Sequence, residues 1–294
     1  MSLTLWAQTI VQGLLMGGIY ALIAAGLTFI FGVMRIINFA HGEFLMVAMF
    51  VAYLLATWMK LPPAVTPLVA VPLLFLLGLL TFRSFLKPLV HASELSKVLC
   101  TVGIAFFLQN LALLLSGGDF FNLPVEVGMA TFSFRGVVVV QTELAAFVAA
   151  VGVSLGFYWF LRSTELGRHI RATTENRQAA MLVGVNVERV DLLAFGMGTA
   201  CVGLAGPLLL LRGTAVSADV GLSFIITAFV VVVLGGMGNF FGALLGGLTI
   251  GLAEAVGKVL LPGSLGSISG LAVMILVLLL RPEGLMGKLG SGRD

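Results

Sequence analysis

The chain has 294 residues, 60% of them hydrophobic and 10% charged, with a formal net charge of +3 and a mean hydropathy of +1.14. A soluble domain carries about 25% charged residues, so this chain lacks the polar side chains to coat a water-facing surface. The composition excludes a soluble domain and points to a polytopic membrane protein.

Apolar runs fall near residues 8–32, 41–58, 63–82, 97–115, 143–161, 191–211, 222–237, 240–261 and 266–280. Runs of about 18 to 24 residues cross the hydrocarbon as helices, and the roughly ten-residue alternating strands of a membrane barrel are absent. The predicted fold is an all-α bundle with eight or nine membrane segments, forming one domain over residues 1–294. The N-terminal MSLTLWAQTIVQG has no basic stretch, so it reads as a retained first span rather than a signal peptide. Cys100 and Cys201 stand far apart beside or inside apolar runs, as packing residues do. No His, Cys or carboxylate cluster has metal-ligand spacing.

In the first run Gly13 and Gly17 form a small-xxx-small pair. The stretch Arg35-Ile-Ile-Asn38-Phe-Ala-His41-Gly42-Glu43 then packs four polar residues into a run edge. Asn38 and Glu43 suit the start of the second helix, while Asn38, His41 and Glu43 together also suit a substrate pathway. Gln109 and Asn110 sit inside the fourth run, where amides glue helices together or line a polar path. The segment 117–142, with its alternating TFSFRGVVVV, fits an outer loop with a short β-hairpin.

Arg162 to Asp191 is the longest polar run, holding nine of the chain's 29 charged side chains and five arginines: Arg162, Arg168, Arg171, Arg177 and Arg189. Lys and Arg concentrate in cytoplasmic loops. With this loop inside, twelve Lys and Arg fall inside and four outside (Lys60, Arg135, Arg212 and Lys258). Nine spans then place the C-terminus in the cytoplasm; eight spans and a re-entrant piece are the alternative.

Further on, Gly238, Gly242 and Gly246 form one row of small residues, and Ala243, Gly247, Gly251 and Ala255 a second. Both rows fit close helix approach. No internal repeat is evident. Glu254, a carboxylate in an apolar run, lies four residues before Lys258 and fits either a helix-face pair or a pathway group. Gly152-Val-Ser154-Leu-Gly156 matches GxSxG but falls in mid-span, where no nucleophile elbow forms. There is no GxxxxGK[ST], so the chain does not cradle ATP by itself.

The stretches GLLMGGIYALIAAGLTFIFGVMRIINFAHGEFLMVA, KPLVHASELSKVLCTVGIAFFLQN, STELGRHIRATTENRQAAMLVGVNVERV, VVVVLGGMGNFFGALLGG and LLLRPEGLMG follow one another in order between residues 13 and 287. Together they resemble the membrane permease subunits of branched-chain amino-acid ABC importers, the shorter of that family's two permeases. The resemblance implies a bacterial inner-membrane importer with a second related permease, two ATPase subunits and a periplasmic substrate-binding protein. It also implies that ATP is used by the partners, and that this chain is not an enzyme and binds no cofactor. ABC importer permeases carry an EAAxxxG-like loop that docks into the ATPase. Gln178-Ala179-Ala180-Met-Leu-Val-Gly184 matches it with Gln in place of Glu, and the downstream Ile-x-Leu-Pro is absent. By this likeness Arg171, Glu175, Arg177, Gln178, Ala179, Ala180 and Gly184 form the coupling site, with Ala179 and Ala180 as a small surface entering a groove. Urea and short amides are the alternative cargo, since close relatives of the design carry them. The runner-up of another class is an ion-coupled secondary transporter, for which Glu43 and Glu254 are the available carboxylates.

Overall fold

The computed structural model describes residues 3–90, 92–123, 131–134, 136–262 and 265–286. Its helices are α1 (Leu3–Met34), α2 (His41–Thr57), α3 (Thr66–Thr81), α4 (Glu94–Ser116), α5 (Gln141–Ser163), α6 (Glu165–Glu175), α7 (Arg177–Leu182), α8 (Val187–Leu211), α9 (Val220–Gly235), α10 (Phe240–Leu260) and α11 (Leu265–Leu280). Strands β1 (Thr131–Phe134) and β2 (Val137–Val140) pair antiparallel, Thr131 opposite Val140. This is the hairpin that the alternating segment predicts. The Gln8 side chain clamps it to the start of α1 through the Val138 N–H and carbonyl, at 2.7 and 2.8 Å. Glu126, Arg135, Lys288 and Arg293 lie outside the described residues.

Every apolar run is a helix, which realises the all-α membrane bundle. Helices α1, α4, α5, α8 and α10, and α3 with its tight continuation to Leu89, are long and apolar enough to cross a membrane. Helices α2, α9 and α11 are shorter. A helix that is apolar on every side belongs in the interior, and α1 is buried almost continuously from Ile19 to Ile30.

The lengths of α2 and α9 have a physical cause. After Met34 the chain reverses at Arg35, whose φ is +56°, and residues 35–40 climb back into the bundle. His41 Nε2 then lies 3.0 Å from the carbonyl of Ile23, eleven residues before α1 ends. At 1.5 Å per residue that is about 16 Å from the end of α1. Helix α2 therefore starts inside the bundle. On the other side of α1, residues 212–219 descend from the end of α8, held by the Phe121–Val216 bridge, and α9 starts where Gly221 meets Gly42.

These paths reveal an inverted repeat that the sequence does not announce. Helices α1, α2 and α3 correspond to α8, α9 and α10 with the direction reversed. Helix α1 packs antiparallel on α10, Gly13 and Gly17 facing Gly251 and Gly247. Helix α8 packs antiparallel on α3, with Gly196 and Gly203 against the helix carrying Ala70, Leu74 and Leu79. The two half-length helices cross between them. The glycine rows of α10 serve two different partners rather than one. Gly247 and Gly251 meet α1, and Gly242 and Gly246 meet α9 at Gly235 and Val231. Gly238 lies before α10, in the turn against Gly32.

Candidate functional sites at the loop end and at the helix crossing

The long polar segment folds as a compact unit at one end of the bundle. Thr164 caps α6 by accepting from Gly167 N at 2.9 Å, Asn176 caps α7 through Ala179 N at 2.9 Å, and Asn186 caps α8 through Arg189 N at 3.0 Å. Each side-chain oxygen satisfies an N–H that the first helical turn leaves without a partner. Gly184 ends α7 with φ +86°, a conformation that glycine adopts without a Cβ penalty. Val185 N then bonds back to Ala180 O at 3.0 Å. Both terminal nitrogens of Arg177 bond the Asp191 carboxylate, tying α7 to the N-terminal part of α8. Lys87 reaches Glu188 at 2.6 Å from the end of α3. The chain from 281 to 286 shares this end, since Leu285 N and Met286 N bond the last carbonyls of α9.

Arg171, Glu175, Gln178, Ala179 and Gly184 are exposed on this unit, and Arg177 is partly withdrawn into its ion pair. Ala180 departs from the expected small surface: it is 2% exposed and faces the bundle. A six-residue helix lying flat must bury one side, and the side it buries carries Ala180. The outward surface is instead Met181, Leu182 and Val183, with Leu182 88% exposed. Three consecutive apolar residues beside a polar loop signal contact with something. The sequence does contain them, but their position behind the matched alanines hides their prominence.

The second candidate site is the crossing of α2 and α9. A Cβ on Gly42 would overlap the carbonyl oxygen of Gly221, and one on Gly221 would stand 2.7 Å from both Glu43 carboxylate oxygens. Asn38, His41 and Glu43 are therefore brought together, as predicted, with Asp219 two residues before Gly221. Asn38 does not cap α2: its Oδ1 accepts from Ala40 N at 3.1 Å, and Ala40 occupies the cap position without a side-chain bond. Three atoms buried here have no hydrogen-bond partner among the described residues: Asn38 Nδ2, His41 Nδ1 and Glu43 Oε2. Such groups are costly, and in a native protein each calls for a reason.

The remaining predicted pathway residues are not part of this cluster. Gln109 and Asn110 lie on α4, whose outer side exposes Phe106, Phe107, Leu113 and Leu114. The Asn110 amide folds back onto the Phe106 carbonyl at 2.8 Å, as an amide facing an apolar medium does. Glu254 lies on α10 and accepts from Tyr20 Oη at 2.8 Å; Lys258 follows one turn later. A residue group that sequence reasoning missed is the exposed side of α9: Asp219, Leu222, Ser223 and Ile226. Its signal is the shortness of the 222–237 run, too short to cross unaided.

The model of the family described as "Branched-chain amino acid transport system / permease component" matches residues 9–278. The chain belongs to this permease family. Among its relatives, a high-affinity branched-chain amino acid transport system permease protein of Pseudomonas aeruginosa, BraD, is 32% identical, with 96% of each chain covered. The corresponding protein LivH of Escherichia coli K12 is 29% identical over 96% of this chain and 95% of its own. A probable branched-chain amino acid permease of Methanocaldococcus jannaschii is 28% identical over 95% and 92%. No solved structure matches the chain. The permease is thus a multi-pass membrane protein of a transport family. Within it Ser154, the centre of the GxSxG match, is a buried residue in the middle of α5.

Proposed function

We propose that this permease is the membrane subunit of an ATP-driven importer of branched-chain amino acids, working with a second permease, two ATPase subunits and a substrate-binding protein outside the membrane. The loop end is cytoplasmic. Lys60, Arg212 and Lys258 lie toward the hairpin end, and the loop arginines with Arg83, Lys87 and Arg281 toward the other, which agrees with the positive-inside tendency. The carrying observation is the apolar knob Met181–Val183 on a helix that Arg177 locks to Asp191 of the central helix α8. A knob on a flexible loop would absorb a push. A knob ion-paired to a core helix passes it on.

Motion of α8 reaches the crossing directly, because Gly198 and Gly206 of α8 touch Ile30 of α1 and Ala48 of α2. Substrate passes along the exposed side of α9. A carboxylate such as Asp219 facing lipid costs about 2.5–3.5 kcal/mol, so a face carrying Asp219 and Ser223 borders an aqueous path rather than acyl chains.

The test is leucine uptake by the reconstituted complex with ATP. Leu182→Asp is expected to abolish uptake while the complex still inserts into the membrane and the ATPase subunits still hydrolyse ATP. Gly184→Trp, which forces a side chain into a left-handed turn, is expected to do the same. Wild-type uptake in Leu182→Asp overturns the coupling role of α7.

A further inference from the structure

Between α1, α9, α10 and α11 lies a cleft of 280 Å³, near the lower end of the roughly 300–1,000 Å³ typical of small-molecule sites. One wall is polar: Tyr20, Thr227, Glu254 and Lys258. The other is aliphatic: Ile226, Val230, Ile250 and Leu271. Two opposite charges one helical turn apart facing a patch of branched carbons describe the complement of one ligand class. We propose that this cleft binds the cargo as an aliphatic α-amino acid zwitterion, with Glu254 on the ammonium, Lys258 and the Thr227 hydroxyl on the carboxylate, and the aliphatic wall on the side chain. The inference rests on the importer reading and adds the site to it.

Three details support the assignment. Tyr20 Oη donates to Glu254 Oε2 at 2.8 Å, which fixes the carboxylate and leaves Oε1 for another donor. Gly270 stands opposite: a Cβ there would come within 3.5 Å of Oε1, so the missing side chain keeps the space beside that oxygen open. The site also has a way in. A second cleft of 250 Å³ shares Glu254 and Lys258 and extends to Thr9, Gln12 and Arg212 toward the hairpin end, the side from which a binding protein would deliver. On the other flank, Ile226 is 51% exposed on the α9 face assigned to the path.

The same geometry discriminates between cargoes. A zwitterion pairs both charges. A neutral amide such as urea can hydrogen-bond Glu254 and Lys258 but brings no countercharge to either, so it forgoes the stronger bonds that two ionised partners make.

The experiment uses the complete importer in proteoliposomes and reads initial rates of leucine and valine uptake, complex assembly, and ATP hydrolysis without substrate. Glu254→Gln removes one charge-assisted bond without changing shape, and a loss of roughly 10–100-fold in uptake of both amino acids is expected, partly restored in Glu254→Asp. Ile226→Phe shortens the aliphatic end without touching either charge. Leucine uptake is expected to fall more than valine uptake, a shift in preference that a packing defect would not produce. Wild-type rates in Glu254→Gln, or an unchanged leucine-to-valine ratio in Ile226→Phe, overturn the cleft assignment while leaving the importer intact. Absence of ATP-driven uptake of either amino acid by the wild type overturns both.

Discussion

The loop end and the helix crossing treat the same physical problem in opposite ways. Every described helix that starts at the loop end is capped by a side chain: Ser93 for α4, Thr164 for α6, Asn176 for α7, Asn186 for α8 and Asn239 for α10. The helices that start inside the bundle are not. Ala40 has no side-chain oxygen to offer α2, and Asp219 accepts from Ser217 at 2.5 Å instead of bonding α9. The loop end also satisfies its buried charge through Arg177 and Asp191, while the crossing leaves Asn38, His41 and Glu43 each with an unmet atom. The loop end is held by matched polar partners, while the crossing is held by apposed backbone and leaves polar atoms unmet among the described residues.

The largest expected effect lies at the loop end. The Asp191 side chain is 1% exposed and depends on Arg177 for its countercharge. Removing one partner of a buried ion pair costs about 3–5 kcal/mol; Arg177→Ala belongs at the lower end, because the arginine itself is 35% exposed and partly screened by water. Limited proteolysis should then cut between residues 163 and 186 in the variant and spare the wild type. Equal resistance in both would mean that α7 is held by something other than this pair.

Next comes the crossing itself. Gly42→Ala drives a methyl into the Gly221 carbonyl, a backbone atom that cannot turn aside, whereas Gly221→Ala meets the mobile end of Glu43. Overpacking costs about 1–3 kcal/mol, so thermal unfolding of purified Gly42→Ala should fall several degrees below that of Gly221→Ala. Similar melting temperatures would show that the two helices are not in fixed backbone contact.

Much of this contrast was legible in the sequence, and what was not follows from how distance in sequence relates to distance in space. The apolar runs mark the helices because burial in hydrocarbon needs length and continuity. The five loop arginines mark the loop, and Gly184 marks the end of α7. Asn38, His41 and Glu43 fall within six residues, so their grouping was visible. Their union with Asp219 and Gly221 was not, because it depends on an inverted fold whose halves share geometry rather than residues. Gly42 and Gly221 take equivalent places, yet His41 and Val220 before them have nothing in common. The burial of Ala180 was hidden for a different reason. A six-residue helix has too few turns to display a periodicity, so only packing tells its two faces apart.

A smaller effect separates the capped starts from the uncapped. Replacing an Asn cap with Ala costs about 0.5–2 kcal/mol, so Asn176→Ala should loosen α7 and reduce coupling without abolishing it. Ala40→Asn adds an oxygen where α2 has no cap, and if the open helix start serves movement it should slow uptake while leaving the melting temperature equal or higher. Faster uptake in Ala40→Asn would contradict that role.

The smallest effect has the most telling sign. Glu43 is 5% exposed with Oε2 unpartnered, and no described Lys or Arg forms an ion pair with it. Gln keeps its shape while removing a carboxylate that the closed crossing does not neutralise. Most core substitutions destabilise, but Glu43→Gln should stabilise the complex by about 1 kcal/mol, seen as a raised melting temperature. Uptake should fall in the same variant, since a crossing relieved of its unmet carboxyl group has less reason to open. A protein that keeps an unfavourable group at the point where two half-helices touch is trading stability for motion. If Glu43→Gln lowers the melting temperature instead, the carboxylate is a structural tie, and the contrast between the two ends of the machine loses its basis.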